Sequence, residues 1–423
     1  MSHSSALSCF DMGEKMLSVD QARTALATLV ETPVGQESVA LSKAHGRRLA
    51  TAIHAPIDVP QNTNAAMDGI ALAWPGPGQT CWPLAGRVYA GEQFAGPVPA
   101  GSCVRITTGA PLPMGTDTVI MREQLEENSS DMTVLQPDRV RHGQHVRQAG
   151  EDIRQGEIAL PAGTRLDAAS LGLIASLGIA EISVWRRPRV AIFSTGNEVT
   201  SPGETLPGAG IYDANRFTLA GLLQQHGAEV IDLGILADDQ ALIQAALQDA
   251  AQHCDLVLTS GGVSVGQADF TRAALESLGQ LVFWRVAIRP GRPLACGWLS
   301  ERRTPLVGLP GNPVAVMVTF LQFVVPLLQR LEGQPVTPPN TLQAIADDAL
   351  QSRTGRCDYV RGVYYSDAQG HLHVRSTGAQ GSGILTSMVA ANCLIELPDN
   401  FASAAPGDIV SLQPLTLEAG GAP

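Results

Sequence analysis

The 423 residues carry 40 acidic against 28 basic side chains, a formal charge of −12, and are 44% hydrophobic and 16% charged. Such a length suits two to four domains. The acidic balance excludes a general nucleic-acid binder or a protein of anionic membrane surfaces, both of which need a cationic face, but leaves room for a small anion held by a local basic cluster.

Residues 1–15 are polar, hold Asp11, Glu14 and Lys15, and read as disordered rather than as a secretory signal. Ser18 with Gln21 forms a capping-box pattern, and Ala22, Leu26, Leu29 and Val30 recur at helical spacing, predicting a helix over 19–30. A short helix is expected over 43–50. Asp68 in Ala66-Met67-Asp68-Gly69 reads first as a turn carboxylate. Residues 71–150 are rich in Gly and Pro around short β-prone runs and predict a small β domain. The pair His142 and His145 lacks a third ligand, so a metal site there is not expected. Asp167 or Ser170 caps a further helix closed by Gly178. If that helix packs on 19–30, the β segment is an insertion between two halves of one domain.

From 188 to 333 strands and helices alternate, which predicts a doubly wound, mostly parallel sheet with helices on both faces. Strands are expected at 190–193, 229–233, 256–259, 282–288 and 305–309, with helices at 215–225, after Asp239, at 270–278 and at 314–330. The apolar tract 314–328 is 15 residues long, too short to span a membrane, and predicts a buried helix or a subunit interface. Pro335-Val336-Thr337-Pro338-Pro339 reads as a linker, and 341–415 as a small β barrel or sandwich.

Ligands of such sheets bind beyond the carboxyl ends of the strands, and the polar loops fall there. They are Ser194-Thr195-Gly196-Asn197-Glu198, Ala237-Asp238-Asp239, the Gly-rich loop from Gly261-Gly262-Val263-Ser264 to Asp269, and Leu309-Pro310-Gly311-Asn312-Pro313. The Gly-rich loop stands between a strand and a helix start. It is either a tight turn or an anion cradle of backbone N–H groups, with Asp269 as a hard carboxylate suited to Mg²⁺. Arg285 and Arg289 share a strand face about 13 Å apart at about 3.3 Å per residue. With Arg292 they make three guanidiniums suited to phosphate or another oxyanion.

The seven cysteines are at least 22 residues apart with no Cys-x-x-Cys, so free thiols in a reducing, cytoplasmic setting are expected.

Seven motifs in order carry a resemblance: Ala66-Met67-Asp68-Gly69, Thr107-Thr108-Gly109-Ala110, Gly150-Glu151-Asp152-Ile153, Ser194-Thr195-Gly196-Asn197-Glu198, Gly261-Gly262-Val263-Ser264-Val265-Gly266, Pro290-Gly291-Arg292-Pro293 and Leu309-Pro310-Gly311-Asn312-Pro313. The chain resembles the molybdopterin molybdenumtransferase family, which is related to the C-terminal domain of gephyrin. The resemblance implies a split N-terminal domain (16–60 and 153–187), an inserted β domain (61–152), a central α/β molybdopterin-binding domain (188–335) and a C-terminal β domain (340–423). It implies insertion of molybdate into adenylylated molybdopterin, assisted by Mg²⁺, with release of AMP.

On that reading Glu198, Asp238 and Asp269 hold Mg²⁺, and Arg285, Arg289, Arg292 with the N–H groups of Gly261, Gly262 and Ser264 hold anionic oxygens. Pro310 and Pro313 fix the rim loop, and Ser382 and Ser387 are polar contacts from the last domain. Asp68, Thr108 and Asp152 resemble a second cluster reaching the site across a homodimer. The family commonly has lysines where this chain has Arg285, Arg289 and Arg292, and a tyrosine where it has Ile70. An alternative reading is a scaffold or carrier of the same fold with weakened chemistry. Molybdopterin adenylyltransferase itself would need only the central domain, although that enzyme is an implied partner.

Overall fold

The structure, a computed structural model, describes residues 16–128, 130–237, 239–261 and 276–415. The chain divides into two compact units, Met1–Glu37 with Trp185–Pro423, and Ser38–Val184.

The first unit is built on a seven-stranded sheet in the order Met16–Leu17, Gly279–Val286, Pro293–Leu299, Thr304–Leu309, Leu256–Ser260, Arg189–Thr195, Glu229–Leu236. Alternate residues serve opposite faces, as strand geometry requires. Val190, Ile192, Leu256 and Leu258 pack with Leu219 and Leu223 of the helix Ala214–Gln225, whereas Ala191, Phe193 and Val257 pack with Ile243 and Leu247 of the helix Gln240–His253. Burial on both faces explains why these strands read as unbroken apolar runs. Each helix starts where a side chain accepts from free backbone N–H groups: Asp213 from Arg216, and Asp239 from Ala241 and Leu242.

The sheet is mixed, because Pro293–Leu299 runs antiparallel to both neighbours. Sequence patterning misses this strand. Gly297 within it reads as a breaker, yet a Cβ there would lie 1.9 Å from the Gln280 carbonyl oxygen, so only glycine fits.

The helix from Pro313 to Leu331 has 19 residues, more than the apolar tract suggests, and is long and apolar enough to cross a membrane; however, 72% of that stretch is buried inside the protein. It is therefore the core helix of this unit. A π-helical turn, Phe320–Val324, interrupts it. Pro326 has no N–H to donate to the Gln322 carbonyl and its ring crowds that group. Arg23 Nε donates to this carbonyl instead, at 3.3 Å, and Arg23 Nη2 donates to Gln322 Oε1 at 3.0 Å. Gln322 Nε2 donates to Gln413 Oε1, and Gln413 Nε2 to Glu396 Oε2, both at 2.8 Å. One buried polar chain thus joins the first helix, Val19–Ala27, the core helix and the C-terminal strands. Ser18 and Gln21 cap that first helix reciprocally, as their spacing predicts.

The C-terminal strands Leu342–Ala346, Cys357–Ser366, Leu372–Ser376, Cys393–Leu397 and Ile409–Pro414 close into a five-stranded barrel, because Cys357–Ser366 pairs with both Leu372–Ser376 and Cys393–Leu397. After Val286 the chain bends and Ile288–Arg289 pairs with the barrel in parallel, setting Arg289 opposite Asp358.

The second unit holds a six-stranded sheet in the order Thr118–Met121, Gly69–Leu72, Cys103–Ile106, Cys81–Val88, Asp131–Val134, Leu125–Glu127. It is a small β domain inserted between flanking segments that pair with each other: Ile53–His54 with Ile158–Leu160, and Gln36–Ala40 with Glu181–Trp185. Asp167 caps the helix Ala168–Ser176 by accepting from the Ser170 N–H. No α-helix covers 43–50. A 3₁₀ turn, Leu41–Lys43, is followed by Gly46 at φ +72°, and the Leu49 N–H donates to the Thr164 carbonyl.

Of the described cysteines, Cys81 is exposed and Cys103, Cys254, Cys296, Cys357 and Cys393 are buried; all six are free thiols.

Candidate active site

The strands Arg189–Thr195, Leu256–Ser260 and Thr304–Leu309 run parallel and end on one rim. Their loops touch. A Cβ on Gly261 would lie 3.8 Å from the Thr195 carbonyl oxygen, one on Gly311 would lie 3.8 Å from Gly261 Cα, and the Gly261 N–H donates to the Leu309 carbonyl at 3.2 Å. Asn215, in the first turn of its helix, donates from Nδ2 to the Gly311 carbonyl at 2.7 Å and so anchors the rim loop. Gly279–Val286 ends on the same rim, being antiparallel to a strand that is itself antiparallel to Thr304–Leu309.

Between this rim and the barrel lies a cleft of about 840 Å³, within the range of small-molecule sites. Gly261, Pro310 and Gly311 line it from the rim, Arg289 and Arg292 from the 286–293 segment, Arg353 and Arg356 from the barrel, and Gln380, Gly381 and Ser382 from a barrel loop. Among the described residues, none of the lining is acidic. Gly291 makes the turn between the first two arginines at φ +110°, and a Cβ there would lie 2.3 Å from Thr319 Cγ2.

Behind the lining, Asp358 is 2% exposed. Arg356 Nη2 donates to its Oδ2 at 3.2 Å, Arg356 Nε lies 2.7 Å from Oδ1, and Arg289 Nη1 lies 3.6 Å from Oδ2. Arg361 is 1% exposed and, among the described residues, has no carboxylate partner. Its Nε donates to Ser387 Oγ at 3.1 Å and its Nη2 to the Gly381 carbonyl at 3.0 Å. Burial, and secondarily Arg289, holds its pKa below the usual guanidinium value. It nonetheless stays protonated at neutral pH. Among the described residues, five guanidiniums therefore face or back the cleft and one carboxylate, Asp358, contacts them, an arrangement that favours a multiply charged oxyanion.

Of the residues singled out from sequence, Gly261, Arg289, Arg292, Pro310 and Ser382 line the cleft. Arg285 is exposed on Gly279–Val286, paired in register with Met16 and Pro293, and is not part of the lining. Pro313 opens the core helix. Ser387 is buried, accepts from Arg361 and donates to the Ile384 carbonyl at 2.6 Å, so it holds a cleft arginine from behind. Glu198 is an exposed rim residue whose carboxylate folds back on Gly196; a Cβ there would lie 2.7 Å from Oε2. Asp238, Gly262, Ser264 and Asp269 lie outside the described residues.

Sequence reasoning overlooked Arg353, Arg356, Asp358 and Arg361. The available signal was Asp358 and Arg361 inside a run of otherwise strand-forming residues, where an unpaired charge is costly.

In the second unit Asp68 accepts from the Thr108 N–H at 2.6 Å and from Thr108 Oγ1 at 2.7 Å. These two hydrogen bonds, the backbone one first, hold its pKa below the usual carboxylate value. The Asp-Gly step here leads into the strand Gly69–Leu72. Gly69 is required because a Cβ would lie 1.8 Å from the Ile120 carbonyl oxygen. The Asp152 side chain is exposed and makes no hydrogen bond or ion pair with Asp68 or Thr108.

Among the described residues no three His, Cys, Asp or Glu side chains come together to hold a metal. Glu198 contributes one hard oxygen donor at the rim, of the kind Mg²⁺ takes.

The fold and cleft define a multidomain α/β protein with an arginine-lined rim cleft closed by a β barrel. Its sequence matches the MoeA N-terminal region (domain I and II) over residues 17–178, the probable molybdopterin binding domain over 191–330, and the MoeA C-terminal region (domain IV) over 343–415. It is 43% identical to a molybdopterin molybdenumtransferase of Haemophilus influenzae over 402 residues, covering 94% of this chain and 98% of that one. It is 35% identical to the enzyme of that name from Nostoc, covering 86% and 85%. The crystal structure of the molybdopterin biosynthesis moeA protein from Pyrococcus horikoshii OT3 superposes with a TM-score of 0.81 at 29% identity, covering 94% of this chain and 99% of that one. The chain belongs to the molybdopterin molybdenumtransferase family, the transferases of molybdenum cofactor biosynthesis.

Proposed function

We propose that the chain inserts molybdate into adenylylated molybdopterin and releases AMP, with Mg²⁺ assisting. The observation that carries this reading is the arginine-lined cleft backed by buried Arg361. Molybdate is a tetrahedral dianion, and four guanidiniums from two chain segments can offer it convergent paired N–H donors. A solvated surface needs no fifth, buried, carboxylate-free arginine behind such a cluster.

In this reading Arg289, Arg292, Arg353 and Arg356 hold the oxyanion, while Ser382 and Gly261 flank the cleft on either side. Gly262, Ser264 and Arg285 serve the pyrophosphate of the nucleotide-bearing substrate. Glu198, Asp238 and Asp269 would hold Mg²⁺, which when bound polarises the phosphoanhydride. Pro310 and Pro313 stiffen the loop that Asn215 anchors. Ser387 keeps Arg361 directed at the 380–382 loop. Asp68, Thr108 and Asp152 act from the second subunit of a homodimer. Its low pKa keeps Asp68 ionised at neutral pH, ready to accept a hydrogen bond. Molybdopterin adenylyltransferase would supply the substrate, in the cytoplasm where free thiols persist.

The test is turnover with purified components. Protein supplied with adenylylated molybdopterin, molybdate and Mg²⁺ is expected to form AMP and active cofactor together, and chelation of Mg²⁺ to stop both. Tight binding of the substrates without AMP would instead identify a carrier of the same fold.

A further inference from the structure

We infer that Asp358 is a positioning residue that fixes two of the cleft's arginines and thereby sets its grip on a tetrahedral oxyanion. The inference rests on the reading of the cleft given above. Arg289 stands opposite Asp358 in the parallel pairing of Ile288–Arg289 with Cys357–Ser366, so strand register alone brings the two together. Arg356 reaches the same carboxylate from two residues upstream. Among the described residues Asp358 is the one carboxylate in ion-pair contact with any arginine lining the cleft. At 2% exposure it does not itself line the cleft.

Two effects of this carboxylate on a bound anion oppose each other. Its negative charge repels the anion, through a medium less screening than water. Its contacts with Arg289 and Arg356 restrict two long side chains that would otherwise lose their rotamer freedom when a ligand immobilised them. A bystander carboxylate acts only by charge, so removing it tightens anion binding. A positioning carboxylate gives the opposite sign: its removal weakens binding although the cleft becomes more positive. Among the described residues Arg292 and Arg353 have no such tether, which leaves Arg289 and Arg356 as the preset pair.

The experiment is calorimetric titration of the full-length protein with sodium molybdate, alongside thermal melts. Asp358→Asn is expected to raise the molybdate Kd about tenfold. In turnover it is expected to raise KM for molybdate while kcat changes less than about twofold. Arg356→Lys keeps the charge but loses the planar fork; it is expected to raise Kd several-fold alone and to add little on top of Asp358→Asn, since both act through one contact. A folded Asp358→Asn protein that binds molybdate as well as or better than the parent overturns the inference alone. A parent protein that binds no molybdate overturns the reading of the cleft and the inference with it. Should Asp358→Asn not fold, Arg356→Lys decides: weakened binding supports the assignment, and unchanged binding overturns it.

Discussion

His373 Nδ1 lies 2.8 Å from Asp347 Oδ1 and its Nε2 lies 3.4 Å from Asp367 Oδ2, while the Tyr365 hydroxyl donates to Asp347 Oδ2 at 2.8 Å. The hydrogen bond to Asp347, opposed in part by burial, raises the His373 pKa above its ordinary 6.5. A raised histidine contributes stability that is full below the unfolded value and lost as pH rises through the folded one. The melting temperature of His373→Gln is therefore expected to fall furthest behind the parent near about pH 5.5, with the gap closing toward about pH 8.5. A gap independent of pH would assign His373 a packing role only. From sequence His371 and His373 read simply as surface polar residues sharing a strand face. Asp367 sits in the turn of their own hairpin, four residues before His371, whereas Asp347 follows Leu342–Ala346 and is brought near only by the parallel pairing of that strand with Leu372–Ser376. The same limit applies at the cleft. Arg289 and Arg292 were legible because they sit together in sequence, whereas Arg353, Arg356 and Arg361 are more than 60 residues away.

Single elements show where sequence patterning succeeds and where packing overrides it. The capped helices Val19–Ala27 and Gln240–His253 were readable from Ser18, Gln21 and Asp239, because capping is local. The strand Pro293–Leu299 was not, because Gly297 answers to the neighbouring Gln280 carbonyl, about 17 residues away by sequence. Gly291, in the turn that carries the cleft arginines, is a third case. Its positive φ and the nearness of Thr319 Cγ2 both exclude a side chain. Gly291→Ala is expected to cost about 1–3 kcal/mol of stability in urea unfolding. Adding Thr319→Ser, which removes Cγ2 yet keeps the hydroxyl that donates to the Ala315 carbonyl, should recover only part of that loss. Full recovery would show that crowding, and not backbone conformation, sets the requirement.

At the level of the whole molecule, the second unit is one continuous segment, Ser38–Val184, and its three apolar clusters draw every residue from that segment. A domain of this length can bury about two-thirds of the surface its unfolded chain exposes. A fragment covering 38–184 is therefore expected to fold alone, giving a dispersed amide spectrum and one cooperative melt. A collapsed spectrum would mean that its cores depend on the rest of the chain. The change from β-rich 71–150 to alternating 188–333 marks a boundary in composition, but the sequence expectation joined 16–60 to 153–187, whereas the helix Val19–Ala27 belongs to the unit of the seven-stranded sheet. The closure of the last five strands into a barrel was not visible in composition, since strand content alone fits barrel and sandwich equally.

The cleft's lining comes from Met16, Gly261, the 286–293 segment, the rim loop, the Arg353–Arg356 turn and the 380–382 loop. During synthesis the chain emerges from its amino end, and domains fold as they become complete. A ribosome must therefore release residue 382, and then the closing strand Ile409–Pro414, before all the guanidiniums can converge. A nascent chain released before that strand has no assembled cleft, so any ligand of this site must wait until the barrel has closed.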